Sequence, residues 1–124
     1  MRRNLFRGQF DQAANATLLA RIADMPTTPF AEGTPYVAAD VASIVCTVTV
    51  GGTQTWTASL VPADVISGTL QGWPRDTLGY NFRHALPAAA LPTGDALATI
   101  VYLLTLADGY VCSLEYFGPV RATP

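Results

Sequence analysis

The single histidine decides which histidine-dependent chemistry the chain could carry out. Any such mechanism must use His84. Its orienting carboxylate would be Asp64 or Asp76, and its nucleophile would be Ser59 or Ser67. The sequence contains no Gly-x-Ser-x-Gly elbow, which would expose such a serine at a strand-to-helix turn. Since His84 also alternates with apolar residues, as a hydrogen-bonded core or sheet-edge histidine does, we expect the protein not to be an enzyme.

Metal and cofactor sites are not indicated either. One histidine, the widely separated Cys46 and Cys112, and the lack of a close acidic run do not make a metal-ligand set. The glycines at Gly51-Gly52 and Asp108-Gly109 belong to hairpin turns rather than to a phosphate-binding loop. We therefore expect no metal and no cofactor, and we expect both cysteines to be buried thiols.

Aromatic residues offer another kind of site, a surface that binds a partner or a sugar ring. Trp73 lies between Gly72 and Pro74 in a predicted loop and is the aromatic residue with the best prospect of exposure. Trp56, in contrast, alternates with apolar residues and is predicted to be buried. Two roles for Trp73 stay open at this point, plugging the end of the fold and contacting a ligand.

Charge is scarce and unevenly placed. Seven basic and nine acidic residues are about half the usual share, and every basic residue is an arginine. The first ten residues contain Arg2, Arg3 and Arg7 and no acidic residue, so the remaining chain carries four arginines and nine acidic residues. We predict these three arginines, Phe10 and Trp73 as partner-binding residues. The acidic remainder would repel a phosphate backbone, so nucleic acid is not expected as the main partner.

Segments that target a membrane are not predicted. The longest apolar stretch, residues 96–107, is too short for a transmembrane helix. At the start, only Leu5 and Phe6 follow the first arginines before Arg7, which is too short for the apolar region of a signal peptide. We expect a protein that is made in the cytoplasm and does not contact a membrane.

From residue 43 onward the apolar residues recur with a period of two, which is typical of β-strands. The segment 98–106 has apolar residues on both faces and is predicted to be a central strand covered on both sides. The segment 110–117 is predicted to point Tyr110 inward and to end at Gly118-Pro119. Strands are predicted over residues 43–50, 54–61, 80–86, 98–106 and 110–117.

The connections and the first 40 residues complete the prediction. Residues 87–91 suit one helical turn, residues 62–66 suit a turn or a strand that switches sheets, and residues 70–78 suit a loop. Residues 11–24 have helical as well as strand periodicity, and we favour a strand over residues 17–23.

The sequence thus predicts an all-β, immunoglobulin-like antiparallel β-sandwich of about seven strands with an extended N-terminal arm. Residues 1–40 would form the arm and first strand, and residues 41–124 the body.

The block from Leu70 to Pro87, with Tyr102 and Ala107-Asp108-Gly109, resembles small uncharacterised immunoglobulin-like proteins of bacterial and phage-associated gene clusters. Its most specific part is residues 79–84, with the sequence GYNFRH. The resemblance covers roughly residues 38–120, and it implies an immunoglobulin-like sandwich and a role in a virion or prophage particle. It implies no catalytic residue.

These observations lead to two hypotheses. The first is a structural protein of a phage or phage-like particle, assembled in the host cytoplasm, that contacts other particle subunits or copies of itself. The second is a carbohydrate- or surface-binding module that works alone and uses Trp73 and neighbouring tyrosines to contact a glycan.

Overall fold

The chain forms a sandwich of two β-sheets. The computed structural model describes residues 2–23 and 33–122, without the side chains of residues 2–5 and 7. Its strands are β1 (Arg2–Arg7), β2 (Phe10–Asp11), β3 (Ala16–Ala20), β4 (Val41–Val50), β5 (Thr53–Leu60), β6 (Ile66–Trp73), β7 (Asp76–Leu86), β8 (Ala96–Leu106) and β9 (Val111–Arg121). One short helix, α1 (Pro62–Val65), joins β5 to β6, and single 3₁₀ turns lie at Ala38–Asp40 and Ala88–Ala90.

The two sheets differ in size and in how their edges are formed. The larger sheet has the order β1-β9-β8-β4-β5, with β2 also beside β9, and the smaller sheet has the order β3-β7-β6. β1 and β2 run parallel to β9, and every other neighbouring pair is antiparallel. The hairpins β4–β5, β6–β7 and β8–β9 account for much of the antiparallel pairing, because a short turn reverses the chain.

The core lies between the two sheets and follows the period of two. Alternate residues of β4 and β8 are buried, and so are those of β9. Aromatic rings join the layers: Phe82 of the smaller sheet packs edge-to-face on Tyr102 of the larger one, with ring centroids 4.9 Å apart. Tyr116 of the larger sheet donates its hydroxyl to the backbone oxygen of Leu19 in the smaller one at 2.6 Å.

The structure confirms the main elements of the sequence prediction. A strand is present at each of the segments predicted from residue 43 onward, although Val61 and Tyr110 lie just outside β5 and β9, and both predicted hairpin turns are present. The ambiguous N-terminal region contains a strand, Ala16–Ala20, as favoured above. Residues 62–65 adopt the helical turn, with proline in its first turn, and this turn rather than a strand carries the chain from β5 of the larger sheet to β6 of the smaller one.

Residues 2–20 do not form an extended arm. β1 pairs with β9 over six residues, and β3 pairs with β7, so these residues belong to the two sheets. A parallel strand needs no hairpin, and for this reason the turn signals of the sequence do not reveal the β1–β9 pairing. Gly118 permits it: a Cβ at this position would collide with the backbone oxygen of Gly8.

Two predictions about individual segments in the second half of the chain were wrong. Residues 70–78 are not a loop but the ends of β6 and β7 around a two-residue turn at Pro74 and Arg75. β9 does not end at Gly118-Pro119 and runs to Arg121. Gly8 donates its N–H to the carbonyl of Phe117. Because backbone groups alternate along a strand, the nitrogen of Pro119 points to the same side as the carbonyl of Phe117, toward β1. The N–H that proline lacks therefore removes no hydrogen bond to β8.

Two predictions about side-chain direction were also wrong. β8 is central but covered on one side only, since Leu97 is 72% exposed and Leu103 40%. Tyr110 is 50% exposed and precedes β9 rather than pointing inward. Asn81 is only 1% exposed, and its amide bonds to the backbone of Ile22 and Tyr36.

Candidate functional site

Two of the predicted partner-binding residues lie in the same cleft. Phe10 and Trp73 are far apart in the sequence, yet both line a cleft of about 360 Å³. The cleft lies between the β1–β2 edge of the larger sheet and β3 at the edge of the smaller one, beside the β6–β7 turn. Phe6, Arg75 and Tyr116 also line it. We call this space the aromatic cleft.

Packing inside the aromatic cleft involves both rings and a cation. Phe6 and Tyr116 stack with centroids 4.7 Å apart and planes at 15°. The Arg75 guanidinium lies 4.7 Å from the Phe6 centroid and 5.9 Å from that of Trp73, within the range of cation–π attraction. Phe10 and Tyr116 are buried. Each aromatic ring of the cleft therefore has a packing partner already or is buried.

Hydrogen bonds around Asp76 hold Trp73 in place. The indole Nε1 donates to Asp76 Oδ1 at 2.7 Å, and the backbone nitrogens of Leu78 and Gly79 donate to the same oxygen at 3.0 and 3.1 Å. Arg21 Nη1 donates to Oδ2 at 2.8 Å. The bonds from Trp73, Gly79 and Arg21, in that order of effect, hold the pKa of Asp76 well below its usual range. Trp73 thus anchors the β6–β7 turn, and one side of its half-buried ring borders the cleft.

Arg75 differs from the other arginines whose contacts are described in this region. Arg21 pairs with Asp76, and Arg121 pairs with Asp11. Arg75 is exposed and makes no ion pair within residues 2–23 and 33–122. It therefore brings to the mouth of the aromatic cleft a positive charge that no carboxylate of the described residues pairs with.

The predicted partner-binding arginines belong to the neighbouring strand. Arg2, Arg3 and Arg7 are part of the backbone of β1, paired with Cys112, Ser113 and Phe117. Their side chains lie outside the described part of the structure, so their predicted role stays a prediction.

A second surface is the outer face of the larger sheet. None of the three adjacent strands β4, β5 and β8 contains a charged residue. Val45 is 39% exposed on this face, next to Leu103, its register partner on β8, and Leu97 is the most exposed of the large apolar residues. Threonines and serines fill most of the positions between them. We call this surface the uncharged face.

A cavity of about 370 Å³ brings together Ser59, Asp64 and His84, three of the residues that a histidine-dependent mechanism would have to use. His84 Nδ1 is 2.7 Å from the hydroxyl of Tyr102, and its ring stacks on Trp56 with centroids 6.0 Å apart. Burial lowers the pKa of His84. In the described part of the chain neither Ser59 nor Asp64 hydrogen-bonds to His84. The interpretation of His84 as a hydrogen-bonded histidine of the sheet is confirmed.

The remaining candidates of the sequence are separated. Asp76 accepts the indole N–H of Trp73 beside the aromatic cleft, and Ser67 bonds to backbone oxygens, including that of Thr69 at 2.8 Å. Cys46 and Cys112 are buried thiols that form no disulfide, on strands separated by β8, and burial raises the pKa of Cys46 to about 12. Within the described ranges no three histidine, cysteine or acidic residues are grouped as metal ligands, and no helix is long and apolar enough to cross a membrane.

Sequence reasoning missed three residues of the cleft: Phe6, Arg75 and Tyr116. Tyr116 was assigned to the core, and the parallel β1–β9 pairing that brings Phe6 onto it has no local signal. Arg75 was assigned to a loop, although Pro74 before it suits the first central position of a tight turn.

No family model matches the sequence, and neither a curated protein nor a solved structure matches it significantly.

Proposed function

We propose that the protein is a non-enzymatic structural subunit of a phage or phage-like particle, such as a capsid decoration, connector or tail-associated subunit. It acts in the virion through contacts with other subunits. The observation that carries the proposal is the uncharged face, where Val45 of β4 and Leu97 and Leu103 of β8 are exposed and neither these strands nor the adjacent β5 hold a charge. Charged residues usually cover about a quarter to a third of the surface of a protein that stays monomeric.

The energetics of the uncharged face favour a protein partner. Complete burial of a valine or leucine side chain contributes about 1.5–3 kcal/mol, and these three side chains begin 39–72% exposed. The threonine hydroxyls retain hydrogen-bonding partners in a neighbouring subunit or in bridging water. Covering this face does not require a charge to be removed from water on β4, β5 or β8, which is the most costly step in burying a polar surface.

The strand order supports an immunoglobulin-like body. The order β9-β8-β4-β5 opposite β3-β7-β6 corresponds to strands G, F, C and C′ opposite B, E and D of such domains. The core differs from that of antibody domains, because Cys46 and Cys112 form no disulfide and Phe82 and Tyr102 fill the space between the sheets. Folds of this kind carry many functions, so this correspondence supports the particle role only by analogy.

Particle incorporation tests the proposal. The tagged chain is expressed with its neighbouring genes, and particles are purified by sedimentation. We expect the chain to co-sediment with the particles and the double variant Leu97→Glu/Leu103→Glu to be incorporated at least tenfold less. Leu78→Glu is the matched control, since Leu78 is similarly exposed but belongs to the smaller sheet. A chain that stays at the top of the gradient, or equal incorporation of both variants, contradicts the proposal.

The alternative function is a carbohydrate- or surface-binding module, and the aromatic cleft with Phe10 and Trp73 is the observation that favours it. It ranks second because a sugar ring stacks on a free aromatic face, and the rings of the cleft are buried or already in contact with Tyr116, Tyr80 or arginines. Tryptophan fluorescence titrated with a panel of neutral and acidic glycans tests this alternative, which predicts a shift that Trp73→Phe removes.

A further inference from the structure

We propose that the aromatic cleft binds an extended, acidic peptide segment of a partner protein, which adds as a strand to the open edge of β3 and pairs a carboxylate with Arg75. This inference rests on the proposed function in that the partner is a protein. It uses a different surface from the uncharged face, so the two proposals can fail separately.

The backbone of β3 provides the first part of the argument. Among the described strands, β3 is an edge strand that has β7 as its one neighbour in the sheet. Just beyond it, the N–H and C=O of Ile22 both bond to Asn81 of β7. Because successive residues of a strand direct their backbone groups to opposite sides, those of Thr17 and Leu19 point away from β7.

A second contact supports this direction. The carbonyl of Leu19 accepts the hydroxyl of Tyr116, which reaches it from the opposite sheet on the side of the cleft. The N–H and C=O of Thr17 and the N–H of Leu19 then face the cleft, where Thr17 and Leu19 are lining residues. Such a row of backbone groups is the template to which an extended peptide adds as a strand.

The lining of the cleft provides the specificity. Strand addition supplies affinity through the backbone, whereas pockets select alternate side chains of the peptide. Here Phe6, Phe10 and Trp73 border an apolar space for one side chain. Arg75, a cation at the mouth without an ion-pair partner among the described residues, selects for a carboxylate on another side chain of the peptide. An extended segment with alternating apolar residues and one acidic residue satisfies both conditions.

The same geometry disfavours an acidic sugar as the occupant. A uronic or sialic acid could also pair with Arg75, but its ring would need a free aromatic face. Phe6 is stacked with Tyr116 and also lies beneath the guanidinium, and Trp73 contacts Tyr80 and Arg75. A sugar would also leave the backbone groups of β3 without the repeating partners that a peptide strand supplies.

Selection from a random peptide library tests the proposal, because it requires no candidate partner. The full chain is immobilised, decapeptides displayed at random are selected on it, and the enriched peptides are synthesised and titrated. We expect the enriched peptides to share one Asp or Glu flanked by apolar residues at alternate positions. Arg75→Gln should weaken their binding at least tenfold, whereas Arg83→Gln, which removes an exposed positive charge of β7 outside the cleft, should change it less than twofold.

Two further measurements identify the binding mode. On peptide binding, the exchange of the Thr17 and Leu19 amide hydrogens should slow at least tenfold, because they become hydrogen-bonded. Thr17→Pro removes one of these donors at a sheet edge, where proline is tolerated, and should abolish binding with the fold unchanged by circular dichroism. If this variant unfolds, the exchange measurement on the native chain still decides the binding mode.

Several outcomes overturn the proposal. These are a selection without enrichment, enriched peptides that lack an acidic residue, and binding that Arg75→Gln leaves unchanged. Unaltered exchange at Thr17 and Leu19 excludes strand addition. Binding of glucuronic or sialic acid oligosaccharides that compete with the peptides identifies an acidic glycan as the occupant. None of these results depends on whether the Arg75→Gln variant is incorporated into particles. Failure of the peptide proposal therefore does not affect the proposed role of the uncharged face, which the incorporation experiment tests.

Discussion

The amide of Asn81 links two segments that are distant in the sequence, and its removal should destabilise the fold measurably. Asn81 is 1% exposed. Its Oδ1 accepts the N–H of Ile22 at 2.7 Å, and its Nδ2 donates to the carbonyls of Ile22 and Tyr36 at 2.8 and 2.9 Å. Asn81→Ala removes all three of these bonds and leaves the buried N–H of Ile22 without its acceptor, whereas the carbonyl of Ile22 keeps the N–H of Tyr36 at 3.0 Å. A buried donor without an acceptor costs about 1–3 kcal/mol and each further lost bond about 1 kcal/mol or less, so we expect a loss of about 3 kcal/mol in the free energy of unfolding.

Urea unfolding followed by tryptophan fluorescence measures this loss. Domains of this size are stable by about 5–15 kcal/mol, so a change of about 3 kcal/mol is a large shift of the midpoint. Asn15→Ala is the matched control: Asn15 is exposed and accepts one backbone N–H, from Ala88 at 2.9 Å, which water can replace. Its loss should stay below about 1 kcal/mol. Equal losses for the two variants would refute the argument that burial makes the Asn81 hydrogen bonds costly to remove.

The remaining predictions concern the titration of His84 and the close approach of Gly118 to the backbone of Gly8. Burial lowers the pKa of His84 in the folded protein. Below about pH 6.5 the unfolded chain therefore binds a proton more readily than the folded protein does, and the free energy of unfolding should decrease as the pH is lowered. His84→Gln should flatten the dependence of the thermal midpoint between about pH 8 and 5, and an unchanged slope would assign it to other groups. Gly118→Ala should cost about 1–3 kcal/mol and speed amide exchange in β1, because its methyl group meets the carbonyl of Gly8. Gly68→Ala, which has open space around it, is the control, and equal stability of the two variants contradicts the close approach.

The antiparallel body was predictable because its signals are local. A period of two together with the turns at Gly51-Gly52 and Asp108-Gly109 determines which strands pair and in which direction. The β1–β9 pairing was not predictable, because a parallel strand far away in the sequence leaves neither a turn nor a distinctive period. The β6–β7 hairpin was missed for another reason: Gly72, Trp73 and Pro74 have loop-like composition, but only Pro74 lies in the turn.

The candidate site was predicted in part. Phe10 and Trp73 were chosen separately, one from the N-terminal region and one from a predicted loop, and the structure brings them into one cleft. Their proximity depends on how β2 and the β6–β7 turn pack across the sandwich. The periodicity of the sequence carries no information about that packing. Arg75 could be recognised only from its position over Phe6, since an arginine in a turn is by default a solvated residue.

The proposed contacts at the uncharged face and at the aromatic cleft differ in physical nature, and ionic strength should therefore affect them differently. The uncharged face would associate through apolar burial, which added salt does not screen. The peptide contact includes an ion pair at the exposed Arg75, and raising the ionic strength from about 0.1 M to about 1 M shortens the Debye length from about 10 Å to about 3 Å. Salt should therefore weaken peptide binding to the native chain while binding to Arg75→Gln stays nearly constant. Particle association should persist through the same range, because β4, β5 and β8 carry no charge to be screened. The scarcity of charge in the sequence thus has a location in the fold: β4, β5 and β8 of the larger sheet contain no charged residue, and Arg75 lies at the mouth of the aromatic cleft without an ion-pair partner among the described residues.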